Sequence, residues 1–335
     1  YDKDMFMMRG RLALSEGKYA QAIENFNVLS QLDTADYWTF FFRGIAKYNL
    51  GDLRGAKNDF DRSVRLNPVF TNGYHYRGIT ESRFGNYSEA LDDLHKALEL
   101  RPGYEGIYFS RGVTYFLAQQ FENAIKDFDR YIRREPKDPS AYLNRGASWL
   151  FLGDTLKAVS DYNKAIKLDR FDPEGYVRRG RLYASQGQHE LAIEDMNKAI
   201  ELDTANTFAY FNRAIMFYEQ EKYREAMADL NRVLQDEPGN ALTLYNRGLI
   251  SAQLGAYDKA VVEAVDDGAD QHLERRGGAQ AGALEYGGGN DRVKAADGII
   301  QIGKASGSTT NQRGRAVLLL LHGEQFGDVH LNDGI

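Results

Sequence analysis

The 335-residue sequence contains no cysteine and only six prolines. The absence of cysteine excludes disulfides, thiol catalysis and metal sites with cysteine ligands, but it fits reducing and oxidising compartments equally well. The longest apolar run, AVLLLL at residues 316–321, is far shorter than the roughly 20 residues of a membrane-spanning helix. The sequence therefore predicts no membrane span and leaves the location open between the cytoplasm and export.

An excess of basic charge is also absent. Residues 1–260 contain 37 acidic and 35 basic residues, residues 261–335 contain 11 and 7, and the formal net charge is -6. Because no basic stripe offers phosphate-neutralising contacts, we expect no nucleic-acid partner. The sequence opens on Tyr1, so a signal peptide would lie upstream of it.

What the sequence does contain is an Arg-Gly pair that recurs every 34 residues without insertion or deletion, with alanine replacing glycine once. Alanine follows the glycine position by twelve residues in every unit, from Ala22 to Ala260. A large apolar residue stands four before the glycine position and usually another sixteen after it, as Phe6 and Phe26 do around Gly10. The arginines are Arg9, Arg43, Arg77, Arg111, Arg145, Arg179, Arg213 and Arg247.

The spacing within each unit predicts a helical hairpin. Residues four apart lie on one face of a helix, so a large and a small residue share the seam on each of the two helices. Six units place a glycine between the helices, where a left-handed residue would end the first helix, while Gln119 and Glu221 depart from this pattern. Proline closes the second helix in four units, at Pro68, Pro102, Pro136 and Pro238.

This pattern resembles the tetratricopeptide repeat, with Tyr or Phe in place of its first tryptophan and Arg in place of its leucine. The resemblance covers about residues 3–260 and implies an all-α, right-handed superhelical solenoid of stacked antiparallel helix pairs. We expect eight tandem repeats in residues 1–260, the eighth incomplete. The resemblance also implies a concave groove, lined mainly by first helices, that holds a peptide or a partner's helix.

An arginine near the seam needs a partner, because an unpaired buried charge is costly. Sixteen residues after each arginine stands an acid, except that Asn25 follows Arg9. We therefore predict a structural ladder of ion pairs that fixes the register of the hairpins. Its members are Arg43 with Asp59, Arg77 with Asp93, Arg111 with Asp127, Arg145 with Asp161, Arg179 with Asp195, and Arg213 with Asp229.

The family's usual groove positions are here mostly apolar and aromatic. The lysine and asparagine pattern with which chaperone-cofactor members hold a C-terminal carboxylate is absent from them. An exposed aromatic groove would suit an apolar or extended peptide, whereas the alternative is that many of these rings pack between neighbouring repeats. The candidate partner-binding residues are Phe41, Tyr48, His75, Phe109, Phe116, Asn144, Arg178, Phe211, Asn212, Tyr218, Tyr245 and Asn246.

Residues 261–335 differ in kind from the repeats. They contain 14 of the 33 glycines and only two aromatic residues, and the repeat pattern is lost. Two interpretations stay open: a flexible or weakly folded extension, and translation in a wrong frame after a sequence error near codon 261. The stretch GIIQIGKA at residues 298–305 nearly matches a phosphate-binding loop, but Ala305 replaces the hydroxyl that would bind magnesium.

No cofactor or metal site is expected, because His272, His322 and His330 lack ligand spacing. Residues 261–335 also lack a nucleophile and base pair that would suggest a fused catalytic domain. The resemblance implies a non-catalytic protein-interaction scaffold that binds a protein or peptide. A self-assembling scaffold and a non-catalytic subunit of an enzyme, or a fusion to one, are the alternatives, and the partner and oligomeric state stay open.

Overall fold

A computed structural model describes residues 2–255 of the chain. These residues form fifteen α-helices and no strand. The repeat's first helices are α1 (Lys3–Ser15), α3 (Tyr37–Asn49), α5 (Thr71–Phe84), α7 (Glu105–Leu117), α9 (Pro139–Phe151), α11 (Pro173–Ser185), α13 (Thr207–Glu219) and α15 (Ala241–Gln253). The second helices are α2 (Tyr19–Leu32), α4 (Leu53–Leu66), α6 (Tyr87–Leu100), α8 (Phe121–Arg134), α10 (Thr155–Leu168), α12 (His189–Leu202) and α14 (Tyr223–Asp236).

The predicted seam holds each hairpin together. The ring of Phe60 is fully buried against Gly44, where an added Cβ would lie 2.6 Å from the ring. The same contact recurs between Gly112 and Phe128, at 2.8 Å. Since real Cβ atoms do not approach so closely, glycine is required here, and the expected contact of small and large residues across the seam is confirmed.

The chain divides into two compact units, Tyr1–Leu168 and Asp169–Ile335. In the first unit α1 to α10 form five antiparallel hairpins, and α2, α4, α6 and α8 each pack on the first helix of the next hairpin. In the second unit α11 to α14 form two hairpins, and α14 packs on α15. The prediction of an all-α stack of helix pairs is confirmed for each unit, and the second helix of the eighth repeat lies outside the described residues, as do Ala260 and residues 261–335.

The turn inside each hairpin uses one left-handed residue. Six glycines occupy this place with φ between 70° and 86°, which confirms the expected helix ends. Gln119 and Glu221 adopt the same conformation, each with φ 59°. A side chain disfavours this region by about 1–2 kcal/mol, so these two turns hold strain that the glycine turns avoid.

We predict that Gln119→Gly and Glu221→Gly each raise the free energy of unfolding by about 1 kcal/mol, because glycine adopts the left-handed region without a steric penalty. Urea denaturation of the single and double variants checks this. The reverse change Gly153→Gln is the control: it meets open space, so its expected loss of about 1 kcal/mol would come from the backbone alone. Equal stabilities of all variants would show that these turns carry no strain.

Candidate interaction surface

Six arginines form bidentate ion pairs with the acid sixteen residues later. In the fifth hairpin Arg145 donates from Nε to Asp161 Oδ2 at 2.9 Å and from Nη2 to Asp161 Oδ1 at 2.6 Å. The two side chains come from opposite helices of one hairpin, and the aspartate is buried. The same geometry joins Arg43 to Asp59, Arg77 to Asp93, Arg111 to Asp127, Arg179 to Asp195 and Arg213 to Asp229.

The pairing keeps the guanidinium groups charged. Hydrogen bonds to Asp93 raise the pKa of Arg77 above its ordinary value, although burial opposes the charge. Each arginine also lies over the aromatic ring three residues before it, as Arg77 lies over Tyr74 at 5.4 Å from the ring centroid. The charge is therefore balanced by a carboxylate on one side and covered by a ring on another.

The ladder also joins neighbouring hairpins, which the sequence reasoning missed. Arg77 Nη1 donates to Asp61 of the preceding hairpin at 2.9 Å, and Arg145 Nη1 donates to Asp129 at 2.6 Å. Asn27 and Asn197 accept the same bond from the arginines that follow them. In each of these four bonds the acceptor stands two residues after the acid position of its own repeat. A polar residue that recurs at this place was therefore the sequence feature that could have predicted the bond.

One joint in the first unit differs from the others. The acceptor position before Arg111 is His95, whose Nε2 lies 3.0 Å from the Tyr115 hydroxyl. Burial and the nearby Arg111 charge lower the pKa of His95. Within the described residues, Arg111 forms its bidentate pair with Asp127 but no hydrogen bond to this histidine.

Five of the twelve candidate partner-binding residues are buried: Phe41, Tyr48, His75, Phe116 and Asn246. The expectation that these side chains line an open groove needs correction, because a side chain with at most 7% exposure has almost no surface to offer a partner. The alternative, packing between repeats, explains the three aromatic residues among them. Asn246 instead donates from Nδ2 to the Leu242 carbonyl of its own helix.

The contacts of these aromatic rings reach the next hairpin. The ring of Phe41 lies 4.9 Å from Phe70 and 5.3 Å from Tyr76, both edge-on. Phe116 meets Phe151 at 5.4 Å. Offset and edge-on rings at these distances stabilise a core beyond the area that they bury. Tyr48 lies under the guanidinium of Arg83, 4.9 Å from it, again across a repeat boundary.

His75 is the one histidine among these five buried residues. Its Nε2 lies 2.8 Å from the Ser110 hydroxyl of the next hairpin, and its ring meets Tyr104 edge-on. Nδ1 is buried without a hydrogen-bond partner in the described part of the chain. Burial lowers the pKa of His75 to about 4, so the ring is neutral at pH 7.

Seven candidates stay partly exposed. Phe109 and Asn144 lie in the first unit, where the Phe109 ring rests on Tyr131 at 5.1 Å. Asn144 and Asn212 each donate from Nδ2 to the carbonyl four residues earlier. The members in the second unit are Arg178, Phe211, Asn212, Tyr218 and Tyr245.

Other kinds of site find no support in residues 2–255. No group of three or more His, Asp or Glu side chains there could hold a metal ion. None of the helices in this range is both long and apolar enough to cross a membrane. The near match to a phosphate loop and the histidines at 272, 322 and 330 lie outside the described residues.

We predict that Arg145→Leu and Asp161→Leu are not additive, because each removes the partner of a largely buried charge. A double-mutant cycle on the free energy of unfolding should give a coupling of about 0.5–3 kcal/mol. The pair Arg145 and Asp129 should couple less, since the Asp129 side chain is 41% exposed. Strict additivity of the first pair would exclude a stabilising ladder.

We predict that stability falls as the pH drops from 6.5 towards 4, because the unfolded chain then binds a proton that buried His75 excludes. One such group changes the free energy of unfolding by about 1.4 kcal/mol per pH unit. The variant His75→Gln should therefore lose about 3 kcal/mol less over this range. Urea denaturation at several pH values checks this. The profiles of His75→Gln and the wild type should run parallel above about pH 7.5, where the imidazole is neutral in both folded and unfolded chains, whereas parallel profiles between pH 6.5 and 4 would contradict the prediction.

Comparison with known proteins agrees with the repeat pattern. A model described as "TPR repeat" matches residues 180–221, and a model described as "Tetratricopeptide repeat" matches residues 77–139, 111–173 and 211–272. The third of these matches continues past residue 260, where the sequence pattern weakens. A search of curated proteins finds no match to this chain.

Solved structures show the same fold. A tetratricopeptide repeat protein from Parabacteroides merdae is 19% identical with a TM-score of 0.59, covering 76% of this chain and 98% of its own. The C-terminal part of a TPR repeat-containing protein from Cytophaga hutchinsonii is 21% identical with a TM-score of 0.51, covering 70% and 96%. The APC/C hetero-tetramer Cut9-Hcn1 is 15% identical with a TM-score of 0.58, covering 78% and 49%.

At these identities the structural likeness shows the fold alone. The repeat models supply the family, since together they match more than half of the chain. The Arg-Gly and aspartate positions that form the ladder lie within the same repeats. The chain belongs to the tetratricopeptide repeat family.

Proposed function

We propose that the chain is a non-catalytic scaffold that binds a peptide or a partner protein through its first helices. The observation that carries this proposal is the set of partly exposed residues on the first helices of the second unit, namely Phe211, Asn212, Tyr218 and Tyr245. We call this set the first-helix face. Membership of a family whose repeats typically serve protein interaction supports the same proposal.

The chemistry of the first-helix face suits an extended peptide. Phe211 and Tyr218 pack on the core formed by Ala214, Leu230 and their neighbours, yet both keep part of their surface exposed. Because the core already restricts these two rings, they lose little conformational entropy when a ligand covers their exposed side. They would supply apolar contact area, which is the main source of affinity for a peptide.

Asn212 would add direction to these contacts. Its Nδ2 donates to the Phe208 carbonyl at 2.7 Å, which orients the amide. Its Oδ1 accepts no hydrogen bond from the described residues and could receive one from a backbone N–H of a bound peptide. Arg178 stands at the corresponding place one repeat earlier and forms an ion pair with Glu174. A peptide that runs along the first helices would meet this charged pair as well as Asn212.

We predict that Asn212→Ala and Tyr218→Ala each weaken capture of the partner by about tenfold, because each removes a contact at the centre of the first-helix face. Affinity capture with the full chain, followed by quantitative mass spectrometry, identifies the partners that depend on these residues.

Phe217→Ala is the matched control. Phe217 packs on the same core as Tyr218, but its ring lies under the ladder residue Arg213 and under Lys222. This variant should retain the partners even though it removes a similar ring. If all variants retained every partner, the first-helix face would not be the binding site.

A further inference from the structure

Glu219 is an acidic residue at a position that disfavours negative charge. It is the last residue of α13, where the free carbonyl groups of the helix end already carry partial negative charge. In the other seven repeats the same position is never acidic, and in α11, the preceding first helix, it is Ser185. Because this carboxylate opposes the dipole of its own helix, helix stability does not explain it.

The charge of Glu219 is not neutralised by a lysine or an arginine of residues 2–255. Its Oε2 lies 3.2 Å from His189 Nδ1 of α12, but these two atoms form no hydrogen bond. The Glu219 side chain is 32% exposed, so water reaches it only in part. Burial raises the pKa of the Glu219 carboxyl above its ordinary value, and His189 opposes this shift.

Two amide oxygens near this carboxylate also lack donors. Gln220 follows Glu219 in the chain, and its buried Oε1 accepts no hydrogen bond within the described range. Asn212, whose Oδ1 accepts none either, stands seven residues before Glu219. Since residues seven apart lie on one side of a helix, Glu219 extends the first-helix face towards the end of α13. This part of the face presents acceptors and needs a donor.

A tyrosine pair borders these acceptors. Tyr218 directly precedes Glu219, is partly exposed, and has its ring 5.7 Å from the ring of Tyr223. The face of a tyrosine ring attracts a cation, more strongly where water is partly excluded. A carboxylate, an amide oxygen and a tyrosine ring together suit a guanidinium or an ammonium group, which has several N–H donors and no acceptor.

The charges around the end of α13 favour the same kind of ligand. Residues 219–225 and the first turn of α12 contain four acidic and two basic side chains. Of the two basic ones, Lys222 lies over the ring of Phe217, 5.9 Å from its centroid. The acidic excess attracts a cation, because complementary charge across an interface selects the partner.

The basic residues on the neighbouring first helix lie elsewhere on the face. Arg178 is paired with Glu174. Arg181 lies over Phe208, at the other end of α13 and about 16 Å from Glu219 along the helix axis. Neither arginine therefore supplies the missing cation at Glu219.

We propose that Glu219 selects a basic residue in the peptide that the first-helix face binds. The cationic group of that residue donates to the Glu219 carboxylate and to Gln220 Oε1 and lies against the ring of Tyr218. Arginine fits best, because its planar group donates to two acceptors and stacks on a ring at the same time. The inference rests on the proposed function and adds the chemical class of the ligand.

Selection from a phage library of random heptapeptides, sequenced before and after capture by the full chain, tests this. The wild-type chain should enrich arginine or lysine at one position. Glu219→Gln keeps the shape without the charge and should lose that preference, whereas Glu219→Lys should enrich aspartate or glutamate there. Glu221→Gln removes the same charge from the exposed turn after α13 and is the matched control, which should keep the basic residue.

A selected peptide then measures the coupling between the two charges. Replacing its arginine by citrulline, or its lysine by acetyl-lysine, should weaken binding to the wild-type chain by about tenfold in fluorescence anisotropy. The same replacement should change binding to Glu219→Gln little, because the interaction is already absent there. Circular dichroism establishes that each variant is folded.

The outcomes separate the ligand class from peptide binding itself. Enriched peptides that Tyr218→Ala loses, without a basic preference or with one that Glu219→Gln retains, would show that Glu219 selects nothing, although the first-helix face binds a peptide. No enrichment of any peptide by the wild-type chain would overturn the proposed function together with the role of Glu219.

Discussion

The structure depends on arginines that lie near the seam of two helices and must be satisfied from several sides. A buried charge that loses its partner costs several kcal/mol, so each guanidinium fixes the position of whatever neutralises it. In the fifth hairpin Asp161 sets the height of α10 against α9, and Asp129 ties the preceding hairpin to the same group. The tyrosine three residues earlier covers the remaining side. Register within a hairpin and stacking between hairpins therefore rest on one side chain.

The same burial limits where a partner could bind. Residues on the first helices looked alike in the sequence, yet Phe41 and Phe116 pack against the next hairpin while Phe109 and Phe211 keep part of their surface. The difference comes from the size of the neighbouring residues across each repeat boundary, such as Phe70 beside Phe41. The surface proposed for peptide binding is thus the part of the apolar stripe that packing between repeats leaves exposed.

The hairpins, their turns and the arginine with its own aspartate could be predicted because each depends on spacing inside one repeat. The positions of Gly44 and Phe60, or of Arg145 and Asp161, stand sixteen residues apart and hold the same kinds of residue in most copies, and a repeating pattern makes such pairs visible. The bond from Arg145 to Asp129 was missed because it crosses a repeat boundary, where the sequence gives no geometry. The burial of His75 was missed for the same reason, since its partner Ser110 lies in the next hairpin.

His95 gives the first unit an uneven coupling between its hairpins. In a repeat array the total stability is close to a sum of hairpin terms and nearest-neighbour terms. A hydrogen bond from an arginine to the preceding hairpin contributes to a nearest-neighbour term. Among the described residues, no such bond from Arg111 joins α7 to α6. Other contacts, including His75 with Ser110, must hold this joint. Acid disfavours the buried neutral His75 that makes one of these contacts. Partial unfolding of the first unit in acid would therefore begin between α6 and α7, and would separate the hairpins of α1 to α6 from those of α7 to α10.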